Sequence, residues 1–376
     1  MRRLLFVANG HGETAIAARI AAELERRTTA PLGLDLFPLV GTGAGAAPLG
    51  VVGPRCPMPS GGLVAMGNLR AFSRDLRAGF ATLLARQLGF LWSRHARYDV
   101  VLAIGDAYAL ALAFAARART VFVGTAKSVY VAPYGPFERI LLRRAELAFV
   151  RDEPTAQRLR AQHVDARAPG NVIVDLVDDA APLGPGRWLG ILPGSREDAY
   201  ADGVRLARVV RALAGLVPDL CAAFSIAPTL EAERFARALA GDGWSIDAGG
   251  GARPFEARAD GARLAGWSGP FGALLGASVA VLGQAGTANE QAAALGVPVI
   301  ALGAEGARED WYRMRQRRLL GDALAIVPPD PQRAAAAIAA LLADDALLER
   351  MRAAGPARMG GRGGAEAIAK AVLELV

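Results

Sequence analysis

The stretch Gly283-Gln284-Ala285-Gly286-Thr287-Ala288-Asn289-Glu290-Gln291 lies between two apolar runs, 278–282 and 297–302. It reads as strand, tight turn, short helix, strand. That order puts small and polar residues at the carboxyl end of a buried parallel strand, where open α/β sheets bind ligands. The small residues Ala285 and Gly286 let a bulky anion approach the backbone, and the amides that open the next helix carry the positive end of its dipole. A sugar diphosphate suits such a turn, with Glu290 about one helical turn on and in reach of a ribose diol. The same letters also spell a capping box, Thr287-x-x-Glu290, in which both side chains merely satisfy orphan amides.

A chain of 376 residues exceeds one ordinary core and predicts about two α/β domains. With 53% hydrophobic and 21% charged residues it can bury its cores, which excludes a disordered class. The net charge of +7 is uneven: residues 1–180 hold 22 basic and 15 acidic side chains, and the remainder holds 21 of each. The excess therefore lies in the first half. It predicts an anionic partner there, a phosphorylated substrate or a membrane surface, unless it reflects only an arginine-rich composition. Nothing in the pattern calls for a nucleic acid.

Cys56 and Cys221 stand far apart without CxxC neighbours and read as free thiols of a reducing compartment, hence a cytoplasmic location. Met1-Arg2-Arg3 precedes only five apolar residues, too few for a signal peptide, and no apolar run is long enough to span a bilayer. His11, His95 and His163 are scattered, so no zinc site is expected.

Short apolar runs alternate with helical patterns along both halves: 4–8, 34–40, 100–104, 120–123 and 147–150, then 188–192, 222–226, 279–282, 297–301 and 323–327. Such alternation predicts two doubly wound, Rossmann-like domains with a cleft between them. Residues 178–186, rich in Asp, Pro and Gly, suit an interdomain linker. Residues 41–62, rich in Gly and Pro, read as a long loop over the cleft.

Three further turns offer chemistry. Asn9-Gly10-His11-Gly12-Glu13-Thr14-Ala15 follows the first strand, and Gly10-x-Gly12-x-x-Ala15 with Asp35 matches the dinucleotide fingerprint. His11 and Glu13, however, fill positions a pyrophosphate loop keeps small, which suits groups facing a sugar or acceptor; the ordinary alternative for Glu13 is a helix-dipole partner. Asp106 ends the buried strand 100–104, where desolvation disfavours the ionised form and suits a general base. It is equally a favoured helix N-cap. Leu192-Pro193-Gly194-Ser195-Arg196 offers amides, a hydroxyl and a guanidinium that could grip phosphate oxygens, or simply an ordinary turn with a surface arginine.

Leu192-Pro193-Gly194-Ser195-Arg196, Gly286-Thr287-Ala288-Asn289-Glu290 and the closing Met359-Gly360-Gly361-Arg362-Gly363-Gly364-Ala365 together resemble the lipid-A-disaccharide synthase family. Asn9-Gly10-His11-Gly12-Glu13 and Val123-Gly124-Thr125-Ala126-Lys127-Ser128 are more similar to the lipid-A-disaccharide-synthase-related proteins. The resemblance covers nearly the whole chain. It implies a GT-B glycosyltransferase: an acceptor-binding domain over 1–177, joined by a final helix 364–376, and a nucleotide-sugar domain over 187–355. It implies an inverting, metal-independent transfer from a UDP-sugar, which is a substrate rather than a cofactor, to a lipid-linked or saccharide acceptor.

It also implies residue roles: Glu290 on the ribose, Gly286 and Thr287 near the diphosphate with Gln284, Ala285 and Asn289 beside them, Gly194, Ser195 and Arg196 near the leaving phosphate, and Trp267 against uracil. Gly10, Gly12 and Lys127 would line the acceptor side, with Asp106, Glu13 or His11 as base. The chain departs from the synthase pattern in its first turn, in carrying Asp106 as the only acid of its segment, and in Gln284 where a serine is usual. Arg70, Arg74 and Arg77 among Phe80, Phe90 and Trp92 suit an interfacial helix on an anionic membrane, or a core helix with a solvated arginine face. Three other readings remain: a UDP-sugar 2-epimerase, a nicotinamide-dependent oxidoreductase resting on Gly10, Gly12 and Asp35, and a non-catalytic sugar-nucleotide sensor.

Overall fold

The computed structural model describes residues 1–56, 76–77, 79–94, 97–304 and 306–376, with the backbone alone at His11 and residues 307–309. The chain divides into two compact units, Met1–Leu176 with Arg362–Val376, and Val177–Gly361.

The first unit is built on a parallel sheet. Its strands are β1 (Arg2–Ala8), β2 (Leu32–Pro38), β3 (Gly50–Val51), β4 (Val100–Gly105), β5 (Arg119–Gly124), β6 (Leu147–Phe149) and β7 (Ala166–Arg167), in spatial order 3-2-1-4-5-6-7. Every pairing is parallel. The switch point between β1 and β4 places the turns after those two strands side by side, at the position where such sheets take ligands. β1 and β4 are solid apolar runs because helices cover both faces: Leu5, Val7, Val101, Ala103 and Phe122 are fully buried. Each of the larger of these side chains contributes roughly 1.5–3 kcal/mol of burial. The segment 41–62 supplies the edge strand β3; its residues 57–62 lie outside the described residues.

The terminal helix Gly364–Leu375 packs in this unit against the helix His11–Arg27. Asp175 clamps its start, accepting from the Gly363 amide at 2.8 Å and the Ala365 amide at 2.7 Å, and Arg27 pairs with Glu366 at 2.6 Å.

The second unit holds β8 (Arg187–Leu192), β9 (Leu220–Ser225), β10 (Ser245–Gly250), β11 (Arg253–Ala259), β12 (Ala262–Trp267), β13 (Ser278–Gly283), β14 (Val299–Leu302) and β15 (Leu324–Val327). Their spatial order is 10-11-12-9-8-13-14-15. The stretch from β12 to β15 repeats the doubly wound parallel plan, but β10 and β11 add an antiparallel edge that the alternation of the sequence does not predict. The hairpin between β11 and β12 turns on Asp260-Gly261, both with left-handed φ (49° and 82°), the two-residue connection that matches strand twist.

Residues 178–186 are not a loose linker. Asp178 Oδ1 accepts from the Gly272 amide at 2.7 Å and Leu183 N donates to Ala273 at 3.3 Å, so the segment is tied onto the second unit. Among the described residues no helix is long and apolar enough to cross a membrane, and no three His, Cys, Asp or Glu side chains cluster to hold a metal ion.

Candidate functional site

In the first unit the turn after β1 leads through Gly10 into the helix His11–Arg27, and the turn after β4 through Gly105 and Asp106 into the helix Ala107–Ala113. Asp106 is the N-cap of that helix. Its Oδ1 accepts from the Tyr108 amide at 3.0 Å and the Ala109 amide at 3.1 Å, and its Oδ2 accepts from Asn9 Nδ2 at 3.1 Å. The cap expected as the alternative to a base is therefore present, although a carboxylate that accepts three hydrogen bonds retains capacity for a fourth.

Glu13 is placed differently. It is half-buried and packs on Gly105, where a Cβ would come within 3.1 Å of Glu13 Cγ; Gly105 also takes φ 119°, so only glycine serves there. Burial pushes the Glu13 carboxyl above its ordinary value, and the Asp106 charge adds to that, while its own backbone amide and Thr125 pull the other way. A carboxyl held with a raised proton affinity beside a second carboxylate is the arrangement expected of a proton-transfer group. Gly12 is exposed with open space around it. His11 opens the helix; its side chain lies outside the described residues.

Lys127, expected on the acceptor side, is spent locally. It pairs with the buried Glu138 at 2.7 Å, and Glu138 also accepts from the Gly135 amide at 2.7 Å. Asp35 lies mid-strand opposite Leu5, bound by Arg3 at 3.0 Å and the Tyr98 hydroxyl at 2.8 Å. Asp35, one of the three residues behind the nicotinamide reading, is thus engaged within the fold.

The membrane helix also changes. Arg70 and Arg74 lie outside the described residues. Phe80 is buried, and Phe90 is half-buried with its ring tilted against Phe37 at 5.1 Å, so both pack on the core of the unit. Arg77 and Trp92 are exposed, with the Arg117 guanidinium 4.4 Å from the Trp92 ring centroid.

In the second unit the expected donor residues come together around the turn between β13 and the helix Thr287–Ala294. The amides of Gln284 and Ala285 both donate to the Leu192 carbonyl, at 2.9 and 3.2 Å, joining this turn to the start of Pro193-Gly194-Ser195-Arg196. Asn289 is fully buried and donates through Nδ2 to the Gly283 carbonyl at 3.1 Å. Gln284 is nearly as buried, and its Oε1 has no hydrogen-bond partner. The capping box expected with Thr287 as cap is not there: the N-cap position is Gly286, which has no side chain, and Thr287 is exposed inside the first turn. The first amides of that helix therefore have no side-chain acceptor from their own cap, the local condition for accepting an anion.

Tyr312, from the helix Ala307–Leu320, lies over this turn. A Cβ on Gly286 would sit 2.6 Å from its hydroxyl, so any larger residue at 286 would displace the tyrosine. Burial, then Glu290, raise the Tyr312 phenol above its ordinary value against the opposing pull of Arg313, Arg315 and Arg196, which keeps it a neutral hydroxyl. Arg196 and Glu290 thus share one electrostatic neighbourhood. Ser195 and Arg196 are exposed, and the Ser195 carbonyl accepts from Thr229 at 3.0 Å. Trp267 ends β12, two strands from β8, and its indole N–H is engaged by the Pro270 carbonyl at 2.9 Å. Sequence reasoning missed Tyr312, Arg313 and Gln316, because their helix has no apolar stripe to mark an inward face.

Two Rossmann-like units of this topology define the GT-B class of fold. No protein-family model matches the chain, and no curated protein matches it in sequence. Solved structures do. MurG of Acinetobacter baumannii superposes with a TM-score of 0.59 at 15% identity, over 100% of both chains. CalG4, the calicheamicin glycosyltransferase, gives 0.59 at 17% identity, over 100% of this chain and 98% of that one. UDP-GlcNAc 2-epimerase from Neisseria meningitidis, bound to UDP-GlcNAc, gives 0.57 at 14% identity over 100% of both. At these identities the likeness is one of fold.

Proposed function

We propose that the protein is a glycosyltransferase that moves a sugar, of N-acetylhexosamine type, from a UDP-sugar to an acceptor hydroxyl. The observation that carries this reading is the uncapped turn 283–290, with Gly286 at the helix start, Glu290 one turn on and Arg196 in the same electrostatic field. Helix amides and Arg196 would neutralise the charge developing on the leaving diphosphate. Glu13 takes the acceptor proton as the hydroxyl oxygen bonds to the anomeric carbon and the bond to UDP breaks, which inverts that centre. Its raised proton affinity suits it to this role better than Asp106, whose oxygens hold a helix start. The resemblance to lipid-A-disaccharide synthase supports a lipid-linked or saccharide acceptor. An anionic membrane surface as partner now rests on exposed Arg77 and Trp92, with Arg86 and Arg97 of the same stretch also exposed.

A second reading, UDP-sugar 2-epimerase, is favoured by the 2-epimerase among the structural neighbours and by the adjacency of two carboxyls, Glu13 and Asp106. Epimerisation removes the proton at C2 and returns it to the opposite face, so it needs no acceptor. Incubation with UDP-N-acetylglucosamine separates the readings. UDP release that depends on added acceptor supports transfer, isomerised UDP-sugar without acceptor supports epimerisation, and UDP binding with neither product supports a sensor.

A further inference from the structure

The helix Ala307–Leu320 buries polar side chains beside its two leucines, Leu319 and Leu320, while larger apolar ones face out. Trp311 is 67% and Met314 43% exposed, whereas Arg313 and Gln316 are only 7% and 4% exposed. Burying an arginine and an amide while large apolar side chains face out is costly unless the polar groups have specific work. The contacts show that work. Gln316 Nε2 donates to the Ala285 carbonyl at 2.9 Å, and Arg313 Nη1 donates to Gln316 Oε1 at 2.9 Å. The second bond fixes which end of the amide faces the turn, since Arg313 can only donate.

The Ala285 carbonyl and the Gly286 amide belong to one planar peptide and point in opposite directions. Pinning that carbonyl therefore fixes the direction of the Gly286 N–H at the start of the uncapped helix Thr287–Ala294. Gly286 has no Cβ to hold this plane by packing, so without the amide the peptide could rotate at low cost.

We propose that Gln316, braced by Arg313, is a positioning residue that sets the affinity of this turn for the diphosphate of a nucleotide sugar by preorienting the Gly286 amide. The inference rests on the UDP-sugar reading and adds to it two residues that touch no substrate themselves. Preorganised donors bind developing or fixed charge without reorganising at the moment of binding, which is where the gain lies.

The test is isothermal titration of the full chain with UDP and with uridine, for wild type, Gln316→Met and Arg313→Lys. Gln316→Met keeps size and removes the donor. It is expected to weaken UDP binding about tenfold, the loss of one hydrogen bond to a preorganised site, and to leave uridine binding unchanged. Arg313→Lys, which keeps the charge but not the planar fork, is expected to give a smaller loss in the same direction, and it serves as the measurement should Gln316→Met fail to fold. Unchanged UDP affinity in a folded variant, or equal losses for UDP and uridine, would overturn the positioning role while leaving the UDP-sugar reading intact. Wild-type protein that binds neither UDP nor uridine would overturn both.

Discussion

The turns after β4 and β13 look alike in sequence: each follows a buried parallel strand ending in glycine and opens a short helix. They solve the problem of orphan amides in opposite ways. At the first, Asp106 receives two amides on one oxygen and Asn9 on the other, so the polar residue is consumed by the fold. At the second, the cap position is Gly286, which has no side chain to offer, and Thr287 sits one residue inside the helix rather than at its cap. Buried side chains shape the loop from behind instead, through Asn289 on Gly283 and Gln316 on Ala285. A capped turn is a finished piece of structure, whereas an uncapped turn that is braced from behind keeps its donors for something else. On the proposed reading the acid in a working role beside the first turn is its neighbour Glu13 rather than its cap.

The sharpest way to break this comparison is to remove the proton acceptor. Glu13→Gln preserves shape and is expected to lower turnover by about 10²–10⁴-fold with UDP affinity unchanged. Turnover at the wild-type level in a steady-state assay would return the role to another group and void the contrast between Glu13 and Asp106.

Next in size is the donor turn. Glu290→Ala is expected to cost about 1–3 kcal/mol of UDP binding, the worth of a hydrogen bond to a charged group, measured by titration calorimetry. Because no capping box forms, its melting temperature should stay close to wild type. A variant that melts early yet binds UDP normally would show the glutamate to be structural after all.

The caps themselves give a smaller effect. Asp106→Ala should lose about 1 kcal/mol of stability, within the 0.5–2 kcal/mol range of lost N-caps, whereas Thr287→Ala should stay within about 0.5 kcal/mol. Urea unfolding of the two variants side by side decides it. Equal losses would mean that the two turns are built alike.

Much of this contrast was legible in the letters. Runs such as 100–104 and 278–282 announced buried parallel strands, and the turn after β13 is joined to the end of β8 through the Leu192 carbonyl. What the letters could not give was which of two roles a polar residue takes, because Asp after Gly105 and Thr after Gly286 are both acceptable caps and only the backbone direction decides. The hairpin at Asp260-Gly261 carried a recognisable turn signal that strand-helix alternation overshadowed. The helix holding Tyr312, Arg313 and Gln316 carried none, since hydrophobic periodicity cannot mark a buried face that begins with arginine and glutamine and whose leucines, Leu319 and Leu320, come only at its end. Phe80 and Phe90 misled in the other direction: aromatic residues among arginines fit a membrane face and a core helix equally well, and packing chose the core.

The smallest expected effect probes Glu13 through stability rather than turnover. Its carboxyl is raised above the ordinary 4.5, first by burial and then by the charge of Asp106. The folded chain therefore holds this proton more tightly than the unfolded chain does. Between the unfolded value and the raised folded value, unfolding releases a proton, so stability is full below the unfolded value and falls as pH rises through the folded one. Gln at position 13 is neutral throughout and has no such slope. The melting temperature of Glu13→Gln minus that of wild type should thus grow as pH rises above the ordinary carboxyl value and level off once it passes the raised folded value, on the order of 2–4 °C for each kcal/mol of ionisation penalty in a unit of this size. Asp106→Asn removes one of the two causes and should flatten the wild-type slope in part, set against its own pH-independent loss of cap strength. Parallel curves for wild type and Glu13→Gln would mean that the carboxyl ionises as freely in the folded chain as in the unfolded one. That outcome would remove the physical ground for choosing Glu13 over the aspartate beside it.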